Sequence, residues 1–228
     1  MSLLIRYLFF SGIIATAWAC EPTITDENVK EVLTQYGEKN KENTILIKTR
    51  VGNIKCKLYD ATPLHRANFI RLVKNGYYND NAEIYRVVHR FMIQGGDLGK
   101  LSQKKEKTMI PAEFHPNYFH KRGALAMARP NENNPDKKSS PTEFFIVQGT
   151  RYDSAELVGL AQKKGLTLSP EKYKTYMEIG GDINLDQEYT VFGEVIEGIE
   201  IVDKIAVVPT VNGERPVNVI PLTIEIVE

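Results

Sequence analysis

A mainly β fold built on a closed antiparallel sheet is the expectation here, and it rests on two observations. Short runs of alternating apolar and polar residues recur along most of the chain, and few helical patterns interrupt them. Closure is the arrangement that leaves so many short strands without exposed edges. With 228 residues, 42% hydrophobic and 25% charged, the chain can bury a substantial core as one large domain or two small ones. Lysine plus arginine number 29, as do aspartate plus glutamate, so no charge excess points to nucleic acid. Two cysteines, Cys20 and Cys56, are too few for a disulfide framework or a four-cysteine zinc site.

The first nineteen residues read as a signal peptide. Arg6 precedes an uncharged run from Tyr7 to Ala19, too short to cross a bilayer core of about 30 Å, and Ala17-Trp18-Ala19 gives the small-x-small end. Cys20 follows directly, where bacterial lipoprotein signals place the lipidated cysteine, although Ala17 and Trp18 are unusual for such a signal. A lipoprotein anchored through Cys20 is the first reading. A plain secreted protein, and a cytoplasmic protein with an odd N-terminus, are the alternatives. Export to the periplasm, or to the bacterial envelope on a lipid anchor, is expected. Cys56 then reads as a small buried apolar side chain on a strand.

Residues 20–44 are polar and read as a tether, with one weakly helical stretch at Val29–Tyr36 docking loosely. The folded domain is expected over 45–228. Ile45, Ile47 and Thr49, then Ile54, Cys56 and Leu58, alternate with polar positions around Val51-Gly52-Asn53, a β-hairpin with one wet face. Thr62-Pro63 opens a helix with Thr62 as N-cap; Phe69, Leu72 and Val73 share its inner face and Asn75-Gly76 ends it. Further strands are expected at Ile84–Val88, Phe91–Gln94, Ala124–Ala128, Phe144–Gln148, Thr190–Val195 and Val219–Val227. Residues 151–183 break the β pattern. Ser154 caps one helix there, stopped by Gly165, and Ser169-Pro170-Glu171 starts another, stopped by Gly180-Gly181. This helical hairpin is an insertion that reads as surface decoration, with a lid or a partner surface as the functional alternatives.

The chemistry concentrates in Tyr85-Arg86-Val87-Val88-His89-Arg90-Phe91-Met92-Ile93-Gln94-Gly95-Gly96-Asp97. Ala126-Met127-Ala128-Arg129, Glu143-Phe144-Phe145-Ile146-Val147 and Leu185-Asp186-Gln187-Glu188-Tyr189 follow in order. In this set the chain resembles the cyclophilin family of peptidyl-prolyl cis-trans isomerases, over about 45–228 except the insertion. The resemblance implies an eight-stranded antiparallel barrel with a helix over each end and a groove for an extended peptide on its outer wall. It implies that Arg86 is the catalytic arginine and that Phe91, Met92, Phe145 and Leu185 form the proline pocket. Gln94 would stand beside the arginine, and the strand at Ala128 and Arg129 would hold the peptide by its backbone. It also implies proline-containing polypeptides as substrates, no cofactor, no metal, no nucleic acid, and a monomer.

An arginine suits this reaction because its fork is rigid and never deprotonates, so it can stabilise the twisted X–Pro bond without a nucleophile. His65, His89, His115 and His120 lack metal-ligand spacing, and no Gly-Lys-Ser/Thr follows Gly95-Gly96 to make a phosphate loop. Three positions and one loop depart from the family. Glu143 replaces a glutamine and either pairs with Arg86 or faces solvent. Asn184 stands in place of a tryptophan, predicting weak cyclosporin binding. Tyr189 replaces a groove histidine and should keep contact with the proline. Residues 130–142 form a lengthened polar loop. An active isomerase is the first reading, a groove-bearing binding module with little catalysis the second, and an envelope scaffold using 151–183 is compatible with either.

Overall fold

A computed structural model describes residues 22–79, 82–97 and 106–228. The signal peptide expected over residues 1–19, and Cys20, lie outside the described residues. Among the described residues no helix is long and apolar enough to cross a membrane.

In chain order the elements are α1 (Val29–Lys39), β1 (Thr44–Thr49), β2 (Gly52–Leu58), α2 (Pro63–Lys74), β3 (Ala82–Val88), β4 (Met92–Asp97), β5 (Ala124–Met127) and β6 (Phe144–Val147). Then come α3 (Ser154–Lys164), α4 (Pro170–Glu178), a 3-10 turn (Ile183–Leu185), β7 (Val191–Glu197), α5 (Ile199–Ala206), β8 (Thr210–Val211), β9 (Arg215–Pro216) and β10 (Ile220–Ile226). Eight strands close an antiparallel barrel in the order β1-β10-β3-β4-β6-β5-β7-β2, with β2 returning to β1, while β8 and β9 form a separate hairpin.

Period-two alternation sends Ile45, Ile47, Ile54, Cys56, Leu58 and Ile93 into the barrel. Cys56 is fully buried there, and burial pushes its thiol pKa up, which leaves it unreactive. One end of the barrel is closed by α2, which follows directly from β2 and contributes Phe69, Leu72 and Val73. At the other end lies α5, where Ile201 meets Gly52 at the start of β2. That eight-residue helix is missing from the sequence reading. Its buried Ile201, Val202, Ile205 and Ala206 are β-branched or small, and they mimic strand residues.

Two local expectations are corrected. Thr62 does not cap α2: its hydroxyl donates to the Tyr59 carbonyl (3.2 Å), and the side chain of Glu113 takes the amides of Leu64 (3.1 Å) and His65 (2.9 Å). A carboxylate at that end also meets the positive pole of the helix. Asp153, not Ser154, caps α3, accepting from the Glu156 amide at 2.8 Å. Ser169 does cap α4, and Gly165 ends α3 in the left-handed conformation.

The helix expected within the tether is longer and more firmly docked than composition suggests. Val29 and Leu33 of α1 are buried with Leu64 and Ala67 of α2. Arg66 reaches from α2 to the carbonyls of Gly37 (3.3 Å) and Asn40 (2.9 Å), satisfying the C-terminal end of α1. The Thr108 hydroxyl holds the Ile24 carbonyl at 2.9 Å.

Candidate active site

The site grows from a local irregularity. β3 pairs Ile84 with Gly95 and Arg86 with Gln94, so Tyr85 is an extra residue. Such a bulge turns two consecutive side chains to the same face. Ile84 and Val87 stay buried in the barrel while Tyr85 and Arg86 are both half-buried. The register then runs from Arg86 to Gln94 on β4, to Phe145 on β6, and to Ala126 on β5. This row crosses four neighbouring strands and places a guanidinium, an amide and an aromatic ring side by side.

An apolar notch lies along the row. Met92, Ala128, Phe145 and Leu185 are buried in one cluster outside the barrel core, with Phe91 and Tyr189 packed against it. β5 and β6 are buried at every position because their inner faces line the barrel and their outer faces floor this notch. Phe91 sits on a tight β3–β4 turn in which Arg90 adopts φ 65°, and its carbonyl accepts the amides of Gln148 (2.9 Å) and Gly149 (3.0 Å). The ring of Phe145 meets Tyr189 edge-on at 5.5 Å. Behind it, His120 stacks at 6.0 Å, held by Asp186 through its amide (2.9 Å) and Nδ1 (3.0 Å). Sequence reading considered His120 only as a metal ligand and missed this support.

Arg86 is held at three points. Nε and Nη2 donate to the two carboxylate oxygens of Glu214 at 2.7 and 3.0 Å, and Nη1 donates to Gln94 Oε1 at 3.2 Å. The Gln94 amide donates to the Tyr85 hydroxyl (2.6 Å), which donates to Glu143 (2.9 Å). Glu143 therefore neither pairs with Arg86 nor points freely to solvent; the ion-pair partner of Arg86 is Glu214. Arg86 lowers the Glu214 carboxyl pKa, and Glu214 in turn raises that of the guanidinium, so both stay charged at neutral pH. A guanidinium carries five N–H donors. These contacts use three, leaving one hydrogen on each Nη. Glu214 is the site residue that sequence reading missed. Asn212-Gly213 is a hairpin signature that would have located its turn, but nothing in the sequence links that turn to Arg86.

The far wall is polar. Arg129 donates to the Glu188 carbonyl (2.7 Å) and carboxylate (2.9 Å), and its guanidinium covers the Tyr189 ring at 4.9 Å. Lys137, from the lengthened loop, holds the same carboxylate at 2.8 Å. Ala128 donates its amide to the Glu143 carbonyl and accepts the Ser140 amide on its own carbonyl, both at 2.8 Å, so only that carbonyl keeps a lone pair for a peptide. Beyond Tyr189 a cleft of about 220 Å³ opens between Phe114, Tyr118, Gln187 and Lys172, where the inserted α4 reaches the edge of the groove. The insertion has its own small core around Leu157, Tyr176 and Ile183, next to Leu185 of the notch. Among the described residues no three His, Cys, Asp or Glu gather as metal ligands.

Together these elements make an eight-stranded closed barrel with an arginine beside an apolar notch on its outer wall. The family described as cyclophilin type peptidyl-prolyl cis-trans isomerase/CLD matches residues 44–226. An Acinetobacter baylyi peptidyl-prolyl cis-trans isomerase is 36% identical over 172 residues, 74% of each chain. A Staphylococcus saprophyticus protein provisionally assigned the same activity is 34% identical over 207 residues, covering 86% of this chain and 100% of the relative. A Cryptosporidium parvum cyclophilin structure superposes with a TM-score of 0.60 at 23% identity, covering 82% of this chain and 98% of that one. The chain belongs to the cyclophilin-type peptidyl-prolyl cis-trans isomerase family, and it is a peptidyl-prolyl cis-trans isomerase.

Proposed function

We propose that the chain catalyses X–Pro rotation with Arg86 as the catalytic residue and the notch of Phe91, Met92, Phe145 and Leu185 as the proline pocket. Rotation is opposed by about 18–20 kcal/mol because the nitrogen lone pair is delocalised into the carbonyl. Halfway through rotation that delocalisation is lost and the nitrogen becomes a hydrogen-bond acceptor. An Nη hydrogen of Arg86 can meet it there and has no equivalent acceptor in the planar ground state, so the interaction lowers the barrier selectively. The ring of the proline rests in the notch while the other side of the bond turns, and the apolar walls strengthen the hydrogen bond by excluding water. The observation that carries this reading is the row Arg86–Gln94–Phe145, which sets the donor beside the pocket. The Cryptosporidium parvum cyclophilin has also been solved in the presence of the dipeptide Ala-Pro, which supports a proline-containing peptide as the ligand here.

The test is isomerisation of a short X–Pro peptide by the full chain beside Arg86→Ala. A loss of about 10²–10³-fold in kcat is expected, as for removal of a transition-state donor. Equal rates in both proteins would remove Arg86 from this role, and no catalysis by either would favour the binding-module reading.

The physiological task we infer is folding of exported proteins from a position anchored through lipidated Cys20. The run from Arg6 to Cys20 supports it. Metabolic labelling with a fatty acid tests it: label on the wild type and none on Cys20→Ala is expected, and an unlabelled wild type would end the lipoprotein reading.

A further inference from the structure

The geometry points to Glu214 as a positioning residue: its carboxylate fixes the Arg86 guanidinium so that one hydrogen on each Nη stays available to the peptide. This rests on the catalytic reading of Arg86. A long arginine side chain on an outer strand face has much rotamer freedom, which catalysis would otherwise have to remove in each turnover. Here both oxygens of Glu214 take the Nε–Nη2 edge while Gln94 takes Nη1, so the planar group is fixed in position and in rotation.

The backbone of Glu214 is itself held in place. Asn212 and Gly213 both adopt positive φ (52° and 83°) in the β8–β9 turn, closed by the Glu214 amide on the Val211 carbonyl at 3.3 Å. The Glu214 carbonyl accepts from the Val87 amide at 2.7 Å, so main chain and side chain grip consecutive residues of β3. Arg215, the next residue, is engaged with Glu83 at 3.1 Å, which leaves Arg86 as the cation Glu214 serves. A carboxylate that merely blocked the guanidinium would occupy the hydrogens a peptide needs. This one takes the edge that includes Nε and leaves a hydrogen on both terminal nitrogens.

The experiment measures kcat and KM for a short X–Pro peptide with the full chain as wild type, Glu214→Ala, Glu214→Asp, Arg86→Ala and the double variant. Loss of positioning is expected to lower kcat by roughly ten- to a hundredfold in Glu214→Ala, with KM little changed. Glu214→Asp, which keeps the charge on a shorter arm, recovers part of the rate. In the Arg86→Ala background the same Glu214→Ala change has no further effect, because its action runs through the arginine. Wild-type or faster kcat in Glu214→Ala would overturn the proposal, as would an equal fold-loss in the Arg86→Ala background, which would mark a structural effect. If Arg86→Ala alone keeps full activity, the catalytic reading of Arg86 fails as well; if it is inactive and Glu214→Ala is not, only the positioning role fails.

Discussion

Lys164 donates from Nζ to the backbone carbonyl of Asn184 at 2.7 Å, fastening the last turn of α3 to the 3-10 turn that carries Leu185. Tyr152 adds a second tie, its hydroxyl accepting the Ile183 amide at 3.3 Å. The insertion is thus a brace for one wall of the notch, a role that surface decoration, lid or partner surface did not include.

Leu157 is fully buried in the core of that brace. Leu157→Ala should cost about 2–5 kcal/mol of local stability and speed hydrogen exchange at residues 183–185. KM for an X–Pro peptide should rise severalfold while kcat moves less. Unchanged exchange and KM would detach the insertion from the pocket.

Phe145→Leu keeps an apolar side chain but removes the ring that Tyr189 and His120 pack against. We expect KM to rise about tenfold, which corresponds to about 1.4 kcal/mol of binding. Peptide titration beside a thermal melt separates that effect from general destabilisation.

Glu113 serves the first turn of α2 in place of the expected threonine. Its loss in Glu113→Ala strands two buried amides and removes the 2.6 Å partner of His65 Nδ1. Urea unfolding should show a loss of about 1–2 kcal/mol, and Glu113→Gln, which retains an acceptor, should recover part of it. The corresponding change at Thr62, Thr62→Val, should cost less, because that hydroxyl contacts no helix amide.

Asp203 of α5 makes an ion pair with Arg122 before β5 and accepts from Gln148 after β6 at 3.0 Å. Burial works against its ionisation, but the hydrogen bonds from Arg122 and Gln148 and the charge of Arg122 outweigh it and hold its carboxyl below the usual carboxylate range. A depressed folded-state pKa adds stability that is fully present above the unfolded value, near pH 4, and is lost as pH falls through the folded value. Melting temperature measured from pH 6 to pH 3 should therefore fall more steeply for the wild type than for Asp203→Asn. Parallel curves would show that the pair contributes nothing to acid sensitivity.

Much of the barrel could be read in advance because alternation is a local property. Ile45 to Leu58 and Leu222 to Ile226 show it directly, and β5 and β6 betray two buried faces by their unbroken apolar runs. The ordered motifs also located Arg86, Gln94 and Phe145. What could not be read depends on contacts between distant parts of the chain. The bulge at Tyr85 exists only relative to Gln94, the cap of α2 comes from Glu113, and Glu214 meets Arg86 across 128 positions. The short α5 was hidden for a different reason, since a single face of isoleucine and valine over two turns looks the same as a strand.

The bond from Thr108 to Ile24 would shorten any leash that began at Cys20. With a lipid on Cys20, as proposed above, only four Cα steps separate the acyl chain from a point fixed to the barrel, a span of about 14 Å. A free stretch from residue 20 to 44 would reach about 80 Å. The enzyme would then ride moored against the bilayer and meet its clients as they emerge at the membrane face, rather than sweep a wide shell of the surrounding compartment.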